Sequence, residues 1–234
     1  IEKYKNPQDE VEIAFIGKYV AHLDSYESLK EALLHGGIAN RLKVTLHYID
    51  SEFLTPENAF EQLEKMDGVL VAPGFGERGM EGKITAIQIA RTGNIPFFGI
   101  CLGMQMAIVE FAHNVIGITG ANSGESRPDH AENVIDLMPE QEGHQETGGT
   151  MRLGSQITVL KKGSRIARMY NKTTISERHR HRYEVMNEFV PKLEKAGLKI
   201  SGRHPERNLV ETIELPEHPW FIGCQFHPEL QSKP

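Results

Sequence analysis

The sequence predicts an α/β fold, a mostly parallel central sheet flanked by helices, with a smaller antiparallel section. Two observations carry this. In the first half, short apolar strand patterns alternate with amphipathic helix patterns, the order that builds a parallel sheet covered on both faces. In the second half, strand patterns follow one another through short polar connections, which suits antiparallel pairing. A third observation locates the chemistry: Gly99-Ile-Cys-Leu-Gly103 stands between the apolar run Ile95–Ile100 and a helical pattern.

Val11–Ile16 alternates like a strand and is followed by Gly17; Tyr26–Leu34 has helical spacing and is expected to end at Gly36-Gly37. Lys43–Ile49 is a strand pattern. Thr55 opens a helix expected to run to about Met66, with Pro56 in its first turn. Gly68–Ala72 is a short apolar strand leading into a Gly-rich loop at 74–79. Ile84–Arg91 is helical and Pro96–Ile100 is a strand. After Cys101 the apolar residues Met104, Ala107, Ile108 and Phe111 fall on one helical face. Residues 120–150 are rich in Gly, Glu, Asn, Ser and His without periodicity, and a segment that long inside a compact domain is expected to be functional or mobile. Met151–Leu160 reads as a strand and Phe189–Ala196 as a helix. Leu198–Ser201, Leu209–Leu215 and Trp220–Phe226 read as strands. With no internal repeat and no low-complexity linker, residues 1–234 are expected to form a single domain.

The composition excludes several classes. A hydrophobic content of 39% and a charged content of 25% are ordinary for a globular protein. The formal net charge of −6 argues against a nucleic-acid binder. Cys101 and Cys224 alone make no disulfide framework, so a reducing, cytoplasmic setting is expected. No apolar run approaches the length of a membrane span, and no membrane partner is expected. The chain opens on Ile1 rather than Met, which suggests a piece of a longer protein.

A strand that ends in glycine, one residue, nucleophile, one residue, glycine, and runs into a helix has the nucleophile-elbow form. The turn is too tight for β-carbons at the flanking positions. It leaves the nucleophile at a helix N-terminus, where the dipole favours a thiolate. A cysteine nucleophile also needs a base and a group to orient it. Of eleven histidines, His227 is favoured, because it follows the apolar strand Trp220–Phe226 and has Glu229 two residues on. His204-Pro205-Glu206 repeats the tripeptide but lies in a polar connection. For the oxyanion, Leu102 at the head of the helix and Gly74 in the neighbouring strand-end loop are the natural N–H donors. Arg178-His-Arg-His-Arg182 is the densest basic run, read either as a solvated turn or as a site for a carboxylate or phosphate. Cys224 is expected in the core. No Cys/His spacing suggests zinc, no acidic loop suggests calcium, and no phosphate-binding loop of the G-x-x-x-x-G-K-[ST] form is present.

Gly99-Ile-Cys-Leu-Gly-Met-Gln105 together with His227-Pro-Glu229 resembles the class I (triad-type) glutamine amidotransferases. Gly74-Phe-Gly-Glu-Arg-Gly79, Glu81-Gly-Lys83, Ala121-Asn-Ser123, Gly148-Gly-Thr-Met-Arg-Leu-Gly154 and Glu177–Val185 narrow the resemblance to the glutaminase domains of CTP synthases. The resemblance implies a class I amidotransferase fold and a Cys101–His227–Glu229 triad that hydrolyses the side-chain amide of L-glutamine through a thioester. It implies an oxyanion hole at Gly74 and Leu102, and a glutamine site that adds Gly103, Met104, Gln105, Glu125 and Arg182, with Arg182 on the α-carboxylate and Glu125 on the α-ammonium. It implies no metal or cofactor in these residues. ATP and magnesium belong with a synthetase domain absent from this chain, which aminates UTP to CTP; GTP activates the glutaminase step; and the full enzyme is a homo-tetramer. The chain also stops short of the family's usual last helix.

Three positions depart from the family pattern: Ala72-Pro73-Gly74 for Pro-Gly-Gly, Gly124 for Thr, and Leu230 for Phe. Pro73 has no N–H to offer, so Gly74 must be the donor. Gly124 is expected to loosen its loop, and Leu230 changes packing outside the triad. The alternatives are another triad hydrolase, such as a γ-glutamyl hydrolase or a glutaminase feeding GMP synthesis, and a catalytically silent domain that regulates a partner. The blocks around Arg152 and Arg178–Arg182 argue against the first, and the intact Cys101, His227 and Glu229 against the second.

Overall fold

The computed structural model describes residues 5–18, 23–128, 130–138 and 151–234. Gly148–Thr150 of the family block and the Glu-rich stretch before them lie outside the described residues. Strands and helices alternate through the first half: β1 (Asp9–Gly17), α1 (Glu27–Asn40), β2 (Leu42–Asp50), α2 (Pro56–Leu63), β3 (Gly68–Val71), α3 (Met80–Thr92), β4 (Phe97–Ile100) and α4 (Leu102–Phe111). The second half contains β5 (Asn122–Ser123), β6 (Asn133–Asp136), β7 (Arg152–Leu160), α5 (Arg165–Tyr170), β8 (Thr174–His181), β9 (Glu184–Val185), α6 (Val190–Lys195), β10 (Lys199–Arg203), β11 (Val210–Glu214) and β12 (Phe221–Cys224).

Nine strands form one sheet in the order β2-β1-β3-β4-β12-β11-β10-β7-β8. The first five run parallel, and β12, β11, β10, β7 and β8 continue it through antiparallel pairs. The antiparallel section is therefore an extension of the parallel sheet rather than a separate layer. A second sheet, β5-β6-β9, sits apart. Alternate residues feed opposite faces, as the two-residue period of a strand requires. Ala14, Ile16, Val69 and Val71 join a core with Leu63, Ile87 and Met104 from α2, α3 and α4. Phe15, Leu70, Ile100 and Ile222 pack on the other side with Leu29 of α1 and Ile166 of α5. No helix among the described residues is long and apolar enough to cross a membrane.

Several expectations are corrected. The first helix does not stop at Gly36-Gly37 but runs to Asn40 and ends on Arg41 in the left-handed conformation at φ 59°. Gly37 is retained there because a β-carbon would meet the Leu42 carbonyl oxygen at 2.8 Å. The helix opened at Thr55 is shorter than expected, ending at Leu63. Arg178–Arg182 is not a solvated turn; most of it lies in β8, whose burial alternates strictly between exposed and buried residues. At Gly124 the Asp136 carboxyl carbon lies 2.7 Å from where a β-carbon would stand, and the Gly124 N–H donates to Ile135 O at 2.8 Å.

Candidate active site

The carboxyl ends of four adjacent parallel strands bring the site together. β1 delivers Lys18, β3 delivers Ala72–Gly74, β4 delivers Cys101 and β12 leads through Gln225 to His227. Open α/β sheets place ligands at such an edge because the connecting loops and helix N-termini converge there.

Cys101 has φ 53° and ψ −107°, a conformation that a non-glycine residue adopts only when its surroundings impose it. The surroundings are explicit. A β-carbon on Gly99 would meet the Gly103 carbonyl carbon at 2.7 Å, and one on Gly103 would overlap the Val71 carbonyl oxygen. The Cys101 N–H donates to Cys224 O at 2.8 Å, tying the elbow to β12. Cys101 is buried at 3% exposure. It lines a cavity of about 290 Å³, shared with Gly74, Gln105, Glu125, Arg182 and Tyr183.

His227 donates from Nδ1 to Glu229 Oε1 at 2.7 Å, the assignment that leaves Nε2 for Cys101. Its main-chain N–H is held by Arg178 O at 2.8 Å, and Gln231 donates to Ser176 O at 2.9 Å, so β8 clamps the whole His-Pro-Glu turn. Burial opposes the imidazolium, but the interactions with Cys101 and Glu229 outweigh it and push the His227 pKa up to about 10. At neutral pH His227 is therefore protonated. A second cavity, of about 430 Å³, is lined by His227 with Tyr26, Phe75, Arg180 and the exposed Leu230.

The other candidate residues fall as follows. Leu102 is the first residue of α4, where a helix leaves its N–H without an intrahelical acceptor. Its side chain packs 3.6 Å from the β-carbon position of Gly74. Glu125 Oε1 accepts from the Gly76 N–H at 2.5 Å. Burial raises the Glu125 pKa, against the Gly76 hydrogen bond and the positive charges of Lys18, Lys83 and Arg182. Arg182 follows β8 and is half-buried at the same cavity. Gln105 lines the cavity, and its Nε2 donates to Tyr183 O and to Gln225 Oε1, both at 3.0 Å. Met104 packs against Gly223 in the core, and Gly103 has no side chain, so both can offer only main chain. His204 is not at this site; its Nδ1 accepts the N–H groups of Glu206 and Arg207 at 3.3 Å, closing the turn after β10. Cys224 is in the core, where burial raises its pKa.

Sequence reasoning missed three contributors. Gln225 is fully buried and donates to Cys101 Sγ at 3.7 Å; the signal was a lone amide inside the apolar run Phe221–Phe226. Lys83 and Lys18 lie buried beside the Gly74 loop, and nothing in their spacing betrays it. The third is a charge network behind the cavity. Arg152 on β7 donates to Glu184 at 3.0 Å and to Glu211 at 2.7 Å, while His179 and His181 on β8 share a hydrogen bond of 2.9 Å. Burial pushes Glu184 and Glu211 up to about 7, opposed by Arg152. Burial, then the repulsion of Arg152, brings the His179 pKa down to about 3 and also lowers that of His181. Among the described residues, no group of three His, Cys, Asp or Glu side chains is placed to hold a metal ion.

The family model described as Glutamine amidotransferase class-I matches residues 21–234. The chain is 56% identical over 235 residues to the CTP synthase of Geobacter metallireducens, covering all of this chain and 44% of that protein. It is 52% identical over 242 residues to the CTP synthase of Maridesulfovibrio salexigens, covering 98% of this chain and 44% of that one. The chain thus spans less than half the length of these curated relatives. Among solved structures, the glutaminase domain of Trypanosoma brucei CTPS with bound acivicin superposes with a TM-score of 0.88 at 39% identity, over 94% of this chain and 86% of that one. A glutamine amidotransferase from Thermotoga maritima, at 14% identity and a TM-score of 0.54, shares the fold.

Proposed function

The chain belongs to the class I glutamine amidotransferases, and from that premise we propose that it releases ammonia from L-glutamine at Cys101, as the glutaminase unit of a CTP synthase. The observation that carries the reading is the strained Cys101 at the cavity, interacting with a His227–Glu229 pair delivered by the adjacent strand.

Cys101 Sγ attacks the side-chain amide carbon while His227 Nε2 holds a proton. The Gly74 and Leu102 N–H groups stabilise the oxyanion of the tetrahedral intermediate. The C–N bond then breaks, and His227 gives the proton to the leaving nitrogen as ammonia departs. A water, deprotonated by His227, attacks the thioester carbon, the C–S bond breaks, and glutamate leaves. Glu229 keeps Nε2 aimed at the sulphur throughout and stabilises the charged ring. Arg182 suits the α-carboxylate of glutamine and Glu125 its α-ammonium. In the longer relatives the ammonia would be used by a synthetase unit that consumes ATP and magnesium to convert UTP to CTP, with GTP activating the glutaminase step. Neither ATP nor magnesium takes part in any step assigned to these residues.

The test is glutamate release from glutamine, alone and with GTP, with mass detection of adducts of the glutamine analogue DON at Cys101. Release or labelling is expected, and Cys101→Ala is expected to abolish both while unfolding at the temperature of the parent. Hydrolysis unchanged in Cys101→Ala would overturn the reading, and a folded chain that neither hydrolyses nor labels would favour a silent regulatory domain.

A further inference from the structure

Lys83 is a lysine with 0% exposure and, among the described residues, no carboxylate within ion-pair distance. Its Nζ donates one hydrogen bond, to Ala72 O at 2.9 Å. A buried amine with no carboxylate at ion-pair distance is less favourable there than an apolar side chain of the same length. An apolar residue would stabilise this position better, so the charge asks for a role.

Its surroundings supply one. Nζ lies 3.4 Å from where a Gly74 β-carbon would stand, directly beneath the loop that carries the proposed oxyanion donor. That loop is poor in anchors of its own, because Pro73 has no N–H. It is held instead from outside: the Ala72 N–H by Ile16 O at 2.9 Å, Ala72 O by Lys83, and the Gly76 N–H by Glu125. The charged and titratable groups facing Lys83 come from three elements: Lys18 after β1, Cys101 at the head of α4, and Glu125 after β5.

We propose that Lys83 is a positioning residue of the cysteine site: its ammonium holds the Ala72–Gly74 peptides in register with Cys101, and its charge favours the anionic sulphur. The inference deepens the glutaminase reading and rests on it for the role of Gly74. The geometry is supported by the charge balance. Burial, then repulsion by Lys18, brings the Lys83 pKa down to about 7. The charge is therefore present below neutrality and withdrawn above it.

The experiment measures the rate at which iodoacetamide alkylates Cys101 between pH 5.5 and 9, in the full chain and in Lys83→Met and Lys83→Gln, with Cys101→Ala as the blank. Lys83→Gln retains an N–H donor without the charge. At pH 6 both variants are expected to react roughly five- to tenfold more slowly than the parent, well short of the loss of a direct oxyanion donor, and the ratio is expected to approach one by pH 9. Equal rates at every pH would overturn the proposal. So would a deficit of the same size at every pH, the mark of a distorted loop, or parental rates in Lys83→Gln. Alkylation does not need glutamine. A pH-dependent ratio in a chain that neither hydrolyses glutamine nor takes up DON would therefore retain the charge effect of Lys83 while the glutaminase reading fails.

Discussion

Cys101 illustrates how much a single residue's neighbours can declare. Its backbone lies in a region that costs about 1–3 kcal/mol for a non-glycine residue, and the flanking Gly99 and Gly103 are the price of bringing α4 against Val71. The glycine spacing announced that geometry before any contact was known. The partner of the base was equally legible, because Glu229 lies two residues from His227 and a 3₁₀ turn from Pro228 to Gln231 brings the two together. Glu229→Gln is expected to lower glutamine hydrolysis at least about a hundredfold, the usual scale of a positioned acid–base group. It should also lower the His227 pKa. The raised pKa of about 10 contributes stability that is fully present below the unfolded value of 6.5 and is lost as pH rises through 10. The melting-temperature gap between parent and Glu229→Gln should therefore be widest near pH 5–6.5 and close by pH 10, which scanning calorimetry across that range would check.

At the scale of elements, β8 is the instructive case. Arg178-His-Arg-His-Arg182 has the polarity of a surface loop. The structure pairs it residue by residue with β7, from Val159 opposite Thr174 to Arg152 opposite His181. Arg178 and Arg180 face outward while His179 and His181 turn into the molecule. Periodicity read on hydrophobicity alone does not see an alternation between two polar residue types, which is why the strand escaped sequence reasoning. What makes the buried histidines tolerable is the network on neighbouring strands: Arg152, with Glu184 and Glu211 as acceptors. One cation serves two buried carboxylates, so the arrangement depends far more on Arg152 than on either acid. Arg152→Met is expected to destabilise the chain by about 3–5 kcal/mol, the cost of uncompensated buried charge. Glu211→Gln should cost much less, since it retains an acceptor and removes one negative charge. Urea unfolding at pH 7 compares the two; an equal loss would contradict the assignment.

At the scale of the whole molecule, the site exists only because distant segments meet. Lys18, Gly74, Cys101 and His227 come from positions spread over more than two hundred residues and arrive on one sheet edge through the order β1-β3-β4-β12. Glu125 and Tyr183 come with the small sheet, where β6 links β5 to β9. If these residues form the complete glutamine pocket, ligand binding should stabilise the folded chain. For Cys101→Ala, which cannot turn the substrate over, glutamine at a hundred times its dissociation constant is expected to add about 2.7 kcal/mol to stability. A melting-temperature rise is expected in that variant, and its disappearance when Arg182→Ala is added; a rise that survives Arg182→Ala would refute the carboxylate role.

The sequence by itself determined the features written in local periodicity and spacing: the alternation of strands and helices, the glycine-flanked elbow at Cys101, and the pairing of His227 with Glu229. Each depends on residues a few positions apart, where backbone geometry alone dictates the outcome. Only the tertiary structure decided the rest. The continuation of the parallel sheet into β11, β10, β7 and β8, the burial of Lys83 beneath Ala72, the link from Gln105 through Gln225 to Cys101, and the close approach of Asp136 to Gly124 all depend on contacts between remote segments. A polar side chain looks the same in a sequence whether it faces water or a buried partner. The difference lies in which strands stand next to each other, and burial together with strand pairing sets that across the whole sheet.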